Sequence, residues 1–268
     1  MRLIALVLMT ALAAPAAAQA QQPPAPLPTR TGLSMEMPTL QEDQALLAAI
    51  ASPARSEADR ARDVFRHPYE SLTFWGLQPG QTVVEVQPGR GGWWTAILRP
   101  YAQATGGQYV AADTLAALEG AEAGSADMVL IARAFHNWAR VDGRTDAVLA
   151  AAFKALKPGG ILAVEQHRAE SGLNVADTAP TGYVPQEYVV RAAMAAGFVL
   201  EAESGLNANP ADDHDHPYGV WSLPPTRVSA PREAQALDRP TPLTAEERAA
   251  LDAIGESDRM TLRFRKPE

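Results

Sequence analysis

Thr82-Val83-Val84-Glu85-Val86 is a β-branched run of strand length, Pro88-Gly89-Arg90-Gly91-Gly92 breaks it, and helical character resumes over residues 93–98. Strand, glycine-rich turn and helix in that order predict the first half of a βαβ unit. Residues 109–112 and 128–131 read as further strands, each with a polar group just beyond its end. Residues 144–156 read as a helix stopped by Lys157-Pro158-Gly159-Gly160, followed by a strand at 161–164. A helix at 186–196 ending on Gly197, a strand at 198–202 and a last strand at 259–264 complete the pattern. Strands alternating with helices predict an α/β fold with a mostly parallel sheet between two helical layers.

Ahead of the first strand, residues 40–51 and 56–65 predict helices, the second with Ser56 as N-cap and Glu57 and Asp59 in its first turn. Pro68–Trp75 predicts a third, closed by Gly76, so that residues 40–78 form a helical cap. Residues 205–242 hold seven prolines without clear periodicity, and Thr244 with Glu247 reads as a capping box opening a helix closed by Gly255. A stretch that long without regular structure predicts a functional lid, and residues 205–256 are taken as a lid-like insert before the last strand.

The start of the chain reads as an address. Met1-Arg2, an apolar run over residues 3–14 and Ala18-Gln19-Ala20 make a secretory signal peptide over residues 1–20, cleaved before Gln21. The apolar run is shorter than the ~20 residues that span a bilayer, so no membrane span is expected after cleavage. Residues 21–39 predict an extended linker, leaving residues 40–268 as a single domain in the periplasm. With 23 Lys+Arg against 31 Asp+Glu and a net charge of −8, nucleic acid is not an expected partner. Cysteine is absent, which removes disulfides, thiolate metal sites and cysteine nucleophiles.

A glycine turn after a parallel strand lets backbone approach a ligand at the carboxyl edge of the sheet. A nicotinamide dinucleotide would need a third glycine at position 94, which is Trp94, so a smaller nucleoside ligand suits the turn better. Glu85 is placed to organise backbone donors, and Asp113, 22 residues after Gly91, to accept two ribose hydroxyls. Glu85-Val86-Gln87-Pro88-Gly89-Arg90-Gly91, Asp113, Leu156-Lys157-Pro158-Gly159-Gly160 and Ala196-Gly197-Phe198 together resemble a class I S-adenosylmethionine-dependent methyltransferase over residues 60–268. His136-Asn137, Asn209-Pro210-Ala211-Asp212-Asp213 and the stretch Glu256 to Leu262 resemble, more narrowly, a group of exported bacterial proteins described as predicted methyltransferases.

The resemblance implies a Rossmann-like sheet with an antiparallel last strand. It implies S-adenosylmethionine as cofactor, with Glu85, Gly89 and Gly91 holding its methionine part and Asp113 its ribose. Two departures stand out. Gln87 occupies the place of the family's first glycine, and twelve residues separate Asp113 from Ala126 where a helix, a strand and another helix are usual. At ~1.5 Å per helical and ~3.3 Å per strand residue, twelve residues supply one short crossover helix. The third strand of the family sheet is therefore expected to be missing, along with the residues that cradle adenine.

His136 and Asn137 follow one strand and His167 the next, so adjacent strands present two imidazoles over one cleft. Neutral imidazole can take a proton from an attacking oxygen or nitrogen, which makes His136, Asn137 and His167 the catalytic candidates. Arg66-His67-Pro68 is placed to close the cleft from the N-terminal side. Trp93 and Trp94 read as core. Asp212-Asp213-His214-Asp215-His216 carries ligand-type side chains but reads as a solvated charged run, and no metal is assigned. The expected function is methyl transfer to a small molecule or envelope component, with Asn209, Asp212 and the insert shaping the acceptor site. The rival is a binding module that keeps the fold without the reaction, and a weaker third reading is a metal-assisted hydrolase.

Overall fold

The computed structural model describes residues 42–230 and 242–268. The expected signal peptide, the linker and residues 231–241 of the insert lie outside the described residues. The helical cap comprises α1 (Gln44–Ile50), α2 (Glu57–Arg60), α3 (Asp63–Arg66) and α4 (Pro68–Trp75). Then follow β1 (Thr82–Val86), α5 (Thr95–Thr105), β2 (Gln108–Ala112), α6 (Leu115–Glu119), β3 (Ala126–Ala132), α7 (Phe135–Trp138) and α8 (Arg144–Ala155). The remainder is β4 (Leu156–Ala169), α9 (Val175–Thr178), β5 (Val184–Pro185), α10 (Gln186–Ala195), β6 (Val199–Ser204), β7 (Pro217–Val220), α11 (Ala245–Ile254) and β8 (Arg259–Arg265).

The sheet runs β2-β1-β3-β4-β8-β6, with β5 added alongside the end of β4. β1 pairs in parallel with β2 and β3, and β3 with β4, whereas β8 is antiparallel to both β4 and β6. This is a Rossmann-like, mostly parallel sheet with an antiparallel β8, and the expected third strand is absent among the described residues. β2 is the edge because only the five-residue α6 fills the gap between Asp113 and Ala126.

Strand alternation divides the core in two. Val84, Val86, Val129, Ile131, Leu162 and Val164 face α8 and α10, while Val83, Met128, Leu130 and Ala163 face α1, α4 and α5. At ~25 cal/mol per Å² of apolar surface removed from water, these two buried layers are the main stabilising term.

Local signals set the boundaries. The Ser56 hydroxyl accepts from Asp59 N, Gly76 closes α4 at φ 81°, and the Thr244–Glu247 capping box opens α11. Two expectations need correction. The helix expected over residues 56–65 is two four-residue turns, because the Trp93 indole takes the Asp59 carbonyl and Arg55 binds Asp63, tying α2 and α3 separately to the core. Lys157-Pro158-Gly159-Gly160 does not break the chain but belongs to a fourteen-residue β4, with a register shift against β3 and Gly159 at φ 73° absorbing the irregularity.

Candidate functional site

After β1 the chain goes to the left, to β2, and after β2 it crosses back to β3 on the other side of β1. Ligands in open α/β sheets bind where the winding reverses in this way, outside the carboxyl ends of the strands. A cavity of about 450 Å³ opens at that place, within the ~300–1,000 Å³ typical of small-molecule sites. Its floor is Gln87, Pro88 and Gly89 after β1 and Ala132 to Ala134 after β3. His136, Asn137 and His167 form one wall, Arg62 and Arg66 of the helical cap another, and Trp221 with Pro224 and Pro225 of the insert a third. Glu256 and Ser257 enter from the segment leading into β8.

Two non-glycine residues of this floor hold left-handed backbone, Gln87 at φ 49° and Arg133 at φ 58°. Each conformation costs of order 1 kcal/mol and is kept where surrounding structure enforces it. Gln87 N–H donates to the Ala112 carbonyl at 2.9 Å, and Arg133 N–H to the Glu165 carbonyl at 2.7 Å, so each bend is latched to the neighbouring strand. Gln87 thus holds left-handed backbone of the kind glycine adopts readily, and its side chain is drawn aside to accept from the Trp138 indole at 3.1 Å. A Cβ at Gly89 or at Gly91 would meet no heavy atom within 4 Å, so the bend is open on its ligand side.

The expected cofactor-binding residues separate. Gly89 lines the cavity, and Gly91 lies on the same open bend. Asp113 follows directly after β2, is exposed, and makes no hydrogen bond or ion pair with a described residue; it stands beside the bend, off the cavity wall. Glu85 is turned away. As an odd-numbered residue of β1 it shares the face of Val83, toward α5, where its Oε2 accepts from the Thr95 hydroxyl at 2.9 Å and the Tyr109 hydroxyl at 2.7 Å. Burial raises its pKa, with these two hydroxyls acting in the opposite direction. Glu85 therefore braces the start of α5 from within.

The three catalytic candidates do converge. The rings of His136 and His167 are 5.9 Å apart, and the Trp221 ring stands edge-on to His136 at 5.8 Å. Burial, and then the Arg140 charge, pulls His136 down to about 4, a shift that its contact with Gln166 opposes. His167 also lies well below the usual histidine value, through burial and then the charges around it. Both rings are neutral at pH 7. Asn137 is exposed at the rim, with Oδ1 accepting from Arg140 at 3.3 Å.

Sequence reading missed two residues that orient these rings. Ser257 Oγ lies 2.6 Å from His167 Nδ1. Gln166 accepts from Phe135 N–H, donates to the Gly182 carbonyl at 3.0 Å and reaches His136 Nδ1 at 3.5 Å. Gln166 stands in no recognisable pattern, Ser257 lies in the stretch from Glu256 to Leu262 without a role assigned to it, and the pairing of β4 with β8 brings residues 167 and 257 together.

Other candidates turn out to be structural. Trp93 and Trp94 are core, Trp94 donating to Glu165 at 3.1 Å. Asn209 and Asp212 tie the insert down without lining the cavity: the Asn209 amide donates to the Ile254 and Glu256 carbonyls, and Asp212 accepts from Tyr183, His214 N, His216 and Asp258 N. Asp212, Asp213 and His216 bring possible ligand atoms within 4.8 Å of one another, but the Asp212 oxygens are already engaged by these donors. Asp258 pairs with Arg168 through two bonds of 2.8 Å, and its neighbour Arg259 with Glu165 at 2.9 Å and Glu256 at 3.0 Å. Among the described residues no helix is long and apolar enough to cross a membrane.

No protein-family profile and no curated protein matches the chain. Among solved structures it is similar to the [4+2]-cyclase SpnF, at 18% identity over 83% of this chain and 92% of that one, with a TM-score of 0.47. A SAM-dependent methyltransferase from Archaeoglobus fulgidus aligns at 10% identity over 77% of this chain and 98% of that one, with a TM-score of 0.42. Another, from Aquifex aeolicus, aligns at 18% identity over 55% and 87%, with a TM-score of 0.41. At such values the likeness carries no argument about chemistry, and the fold rests on the strand order itself.

Proposed function

We propose that this chain is an exported S-adenosylmethionine-dependent methyltransferase acting on a small molecule or an envelope component. The observation that carries this reading is the open bend at Gly89 and Gly91, latched level with the unpaired Asp113 at the reversal point of the sheet. Gly89 and Gly91 would hold the methionine part of the cofactor and Asp113 its ribose hydroxyls. The chemistry supplied when it is bound is an electrophilic methyl group, moved by in-line displacement. Export is supported by the character of residues 1–20.

The chain's own part is alignment and proton removal. The walls around the cavity hold an acceptor against the bend, and good alignment is worth up to ~7 kcal/mol or more of barrier. His167 and His136, both uncharged at pH 7, can take the acceptor proton. Of the two, His167 is the better held, through Ser257; with Nδ1–H donating to that hydroxyl, Nε2 carries the free lone pair.

One observation favours a second reading, a ligand-binding module without catalysis. Among the described residues, the missing strand leaves only α6 beyond β2 to embrace an adenine ring. The test is transfer of labelled methyl from S-adenosylmethionine to a solubilised envelope fraction. Label incorporated by the protein but lost in His167→Ala supports the enzyme, whereas tight cofactor binding with no transfer to any fraction supports the module.

A further inference from the structure

Three guanidinium groups, from Arg62, Arg66 and Arg133, line the cavity with Arg259 packed behind them, and three carboxylates answer the four, from Glu165, Glu256 and, at 3.8 Å from Arg62, Asp59. Glu256 takes Arg62 at 2.6 Å, Arg66 at 2.8 Å and Arg259 at 3.0 Å, and Glu165 takes Arg259 at 2.9 Å. Arg66 is only 1% exposed and its guanidinium lies over the Trp93 ring at 4.8 Å, while its buried Nη1 has no hydrogen-bond partner. Arg133 is more isolated: the residue is half-buried at the cavity, its side chain makes no hydrogen bond or ion pair with any described residue, and its Nε is buried without a partner. Buried arginines are normally paired, because a buried donor left unsatisfied costs about 1–3 kcal/mol and more when charged. Burial first lowers the Arg133 pKa; the Glu165 charge opposes this, Arg259 adds to it, and Glu256 and Arg62 act in opposite directions behind them.

Arg66 and Arg133 both line one cavity, and Arg133 stands there on left-handed backbone held by its N–H bond to the Glu165 carbonyl. The neighbouring histidines are neutral and add no charge in either direction. S-adenosylmethionine, with a sulfonium, an ammonium and a carboxylate, is itself a net cation at neutral pH, so it leaves this surplus unbalanced.

We infer that the acceptor bound in this cavity carries an oxyanion, a phosphate or carboxylate group, gripped by the Arg133 guanidinium with the Arg66 charge beside it. The inference deepens the proposed methyl transfer by naming the acceptor class, and it rests on that reading for the word acceptor. Arg133 fixes the anion, and the anion places the rest of the acceptor between the bend and the two imidazoles. Arginine suits this role because its planar fork matches oxyanion geometry.

The test uses the intact protein and inorganic phosphate as probe, by calorimetry and thermal unfolding at ionic strength matched with chloride. Saturable binding is expected, with a rise in Tm. Arg133→Gln should weaken binding at least fivefold while leaving the phosphate-free Tm equal or higher, and Arg133→Lys should recover part of the affinity. Phosphate should bind with undiminished affinity beside saturating S-adenosylhomocysteine. Absence of saturable binding, equal affinity in Arg133→Gln, or displacement of phosphate by S-adenosylhomocysteine would overturn the inference, the last because the cofactor's own carboxylate would then hold the guanidiniums. If S-adenosylhomocysteine fails to bind while phosphate binds through Arg133, the cofactor reading falls and the oxyanion site stands.

Discussion

The backbone N–H of Gln87 donates to the carbonyl of Ala112 at 2.9 Å, fastening the first residue of the bend to the last residue of β2. Asp113 is the next residue along, exposed and without a partner among the described residues. Among the described residues nothing engages its carboxylate. Asp113→Ala should weaken binding of S-adenosylhomocysteine by ~1–3 kcal/mol, through ribose hydroxyls left unpaired. Thermal unfolding should be unchanged; lost stability with retained affinity would place the ribose elsewhere.

Gly91 separates room for a ligand from the needs of the fold. Its φ lies outside the left-handed region and a Cβ there meets open space. Gly91→Leu should change stability by no more than ~0.5 kcal/mol. The same side chain would project into the bend and abolish cofactor binding. Calorimetry of this variant that matched the original protein would mean the bend is not the binding surface.

Acid should unfold the protein through the carboxylates around β8. Burial alone would push the Glu256 carboxyl up, but Arg66, Arg259 and Arg62 more than reverse it and hold it at about 2. In the unfolded chain it protonates near ~4.3. Its stabilisation is thus complete above about pH 5, worth ~3 kcal/mol, and is lost as pH falls toward 2. Asp258, also held at about 2 against the effect of burial by His214 and Arg168, acts in the same direction. Urea unfolding at pH 7, 5 and 3 should show the loss below pH 5. Glu256→Gln should flatten that dependence and cost ~3–5 kcal/mol at pH 7, because it leaves the buried Arg66 and Arg259 and the half-buried Arg62 facing a neutral amide.

His136 should titrate near pH 4 in the folded protein, with burial first and the charges of Arg140 and Arg133 next among the causes. An unfolded imidazole takes its proton near ~6.5. Stability from this group is therefore complete above about pH 6.5 and declines as pH falls to about 4. Proton NMR of the ring, assigned with His136→Gln, reads the midpoint directly. A value near 6.5 would mean the ring is solvated and the cavity more open than described.

The strands, the bend and the missing strand were legible because each is written in a short local pattern. β-branched runs, glycine and proline punctuation and the twelve residues after Asp113 need no long-range information. The orientation of Glu85 was legible in principle from alternation with Val84 and Val86, but motif spacing alone pointed it toward a ligand. The arginine cluster was not legible. Arg62, Arg66, Arg133 and Arg259 come from segments that meet only when β8 inserts between β4 and β6 and draws Glu256 under the helical cap. The roles of Ser257 and Gln166 were hidden for the same reason.

Calorimetric titration of the intact protein with S-adenosylmethionine and S-adenosylhomocysteine tests the central claim most directly. One site with saturable heat, weakened by Asp113→Ala and eliminated by Gly91→Leu, is the predicted result. No heat at millimolar ligand, in protein shown to be folded by a cooperative thermal transition, would contradict it.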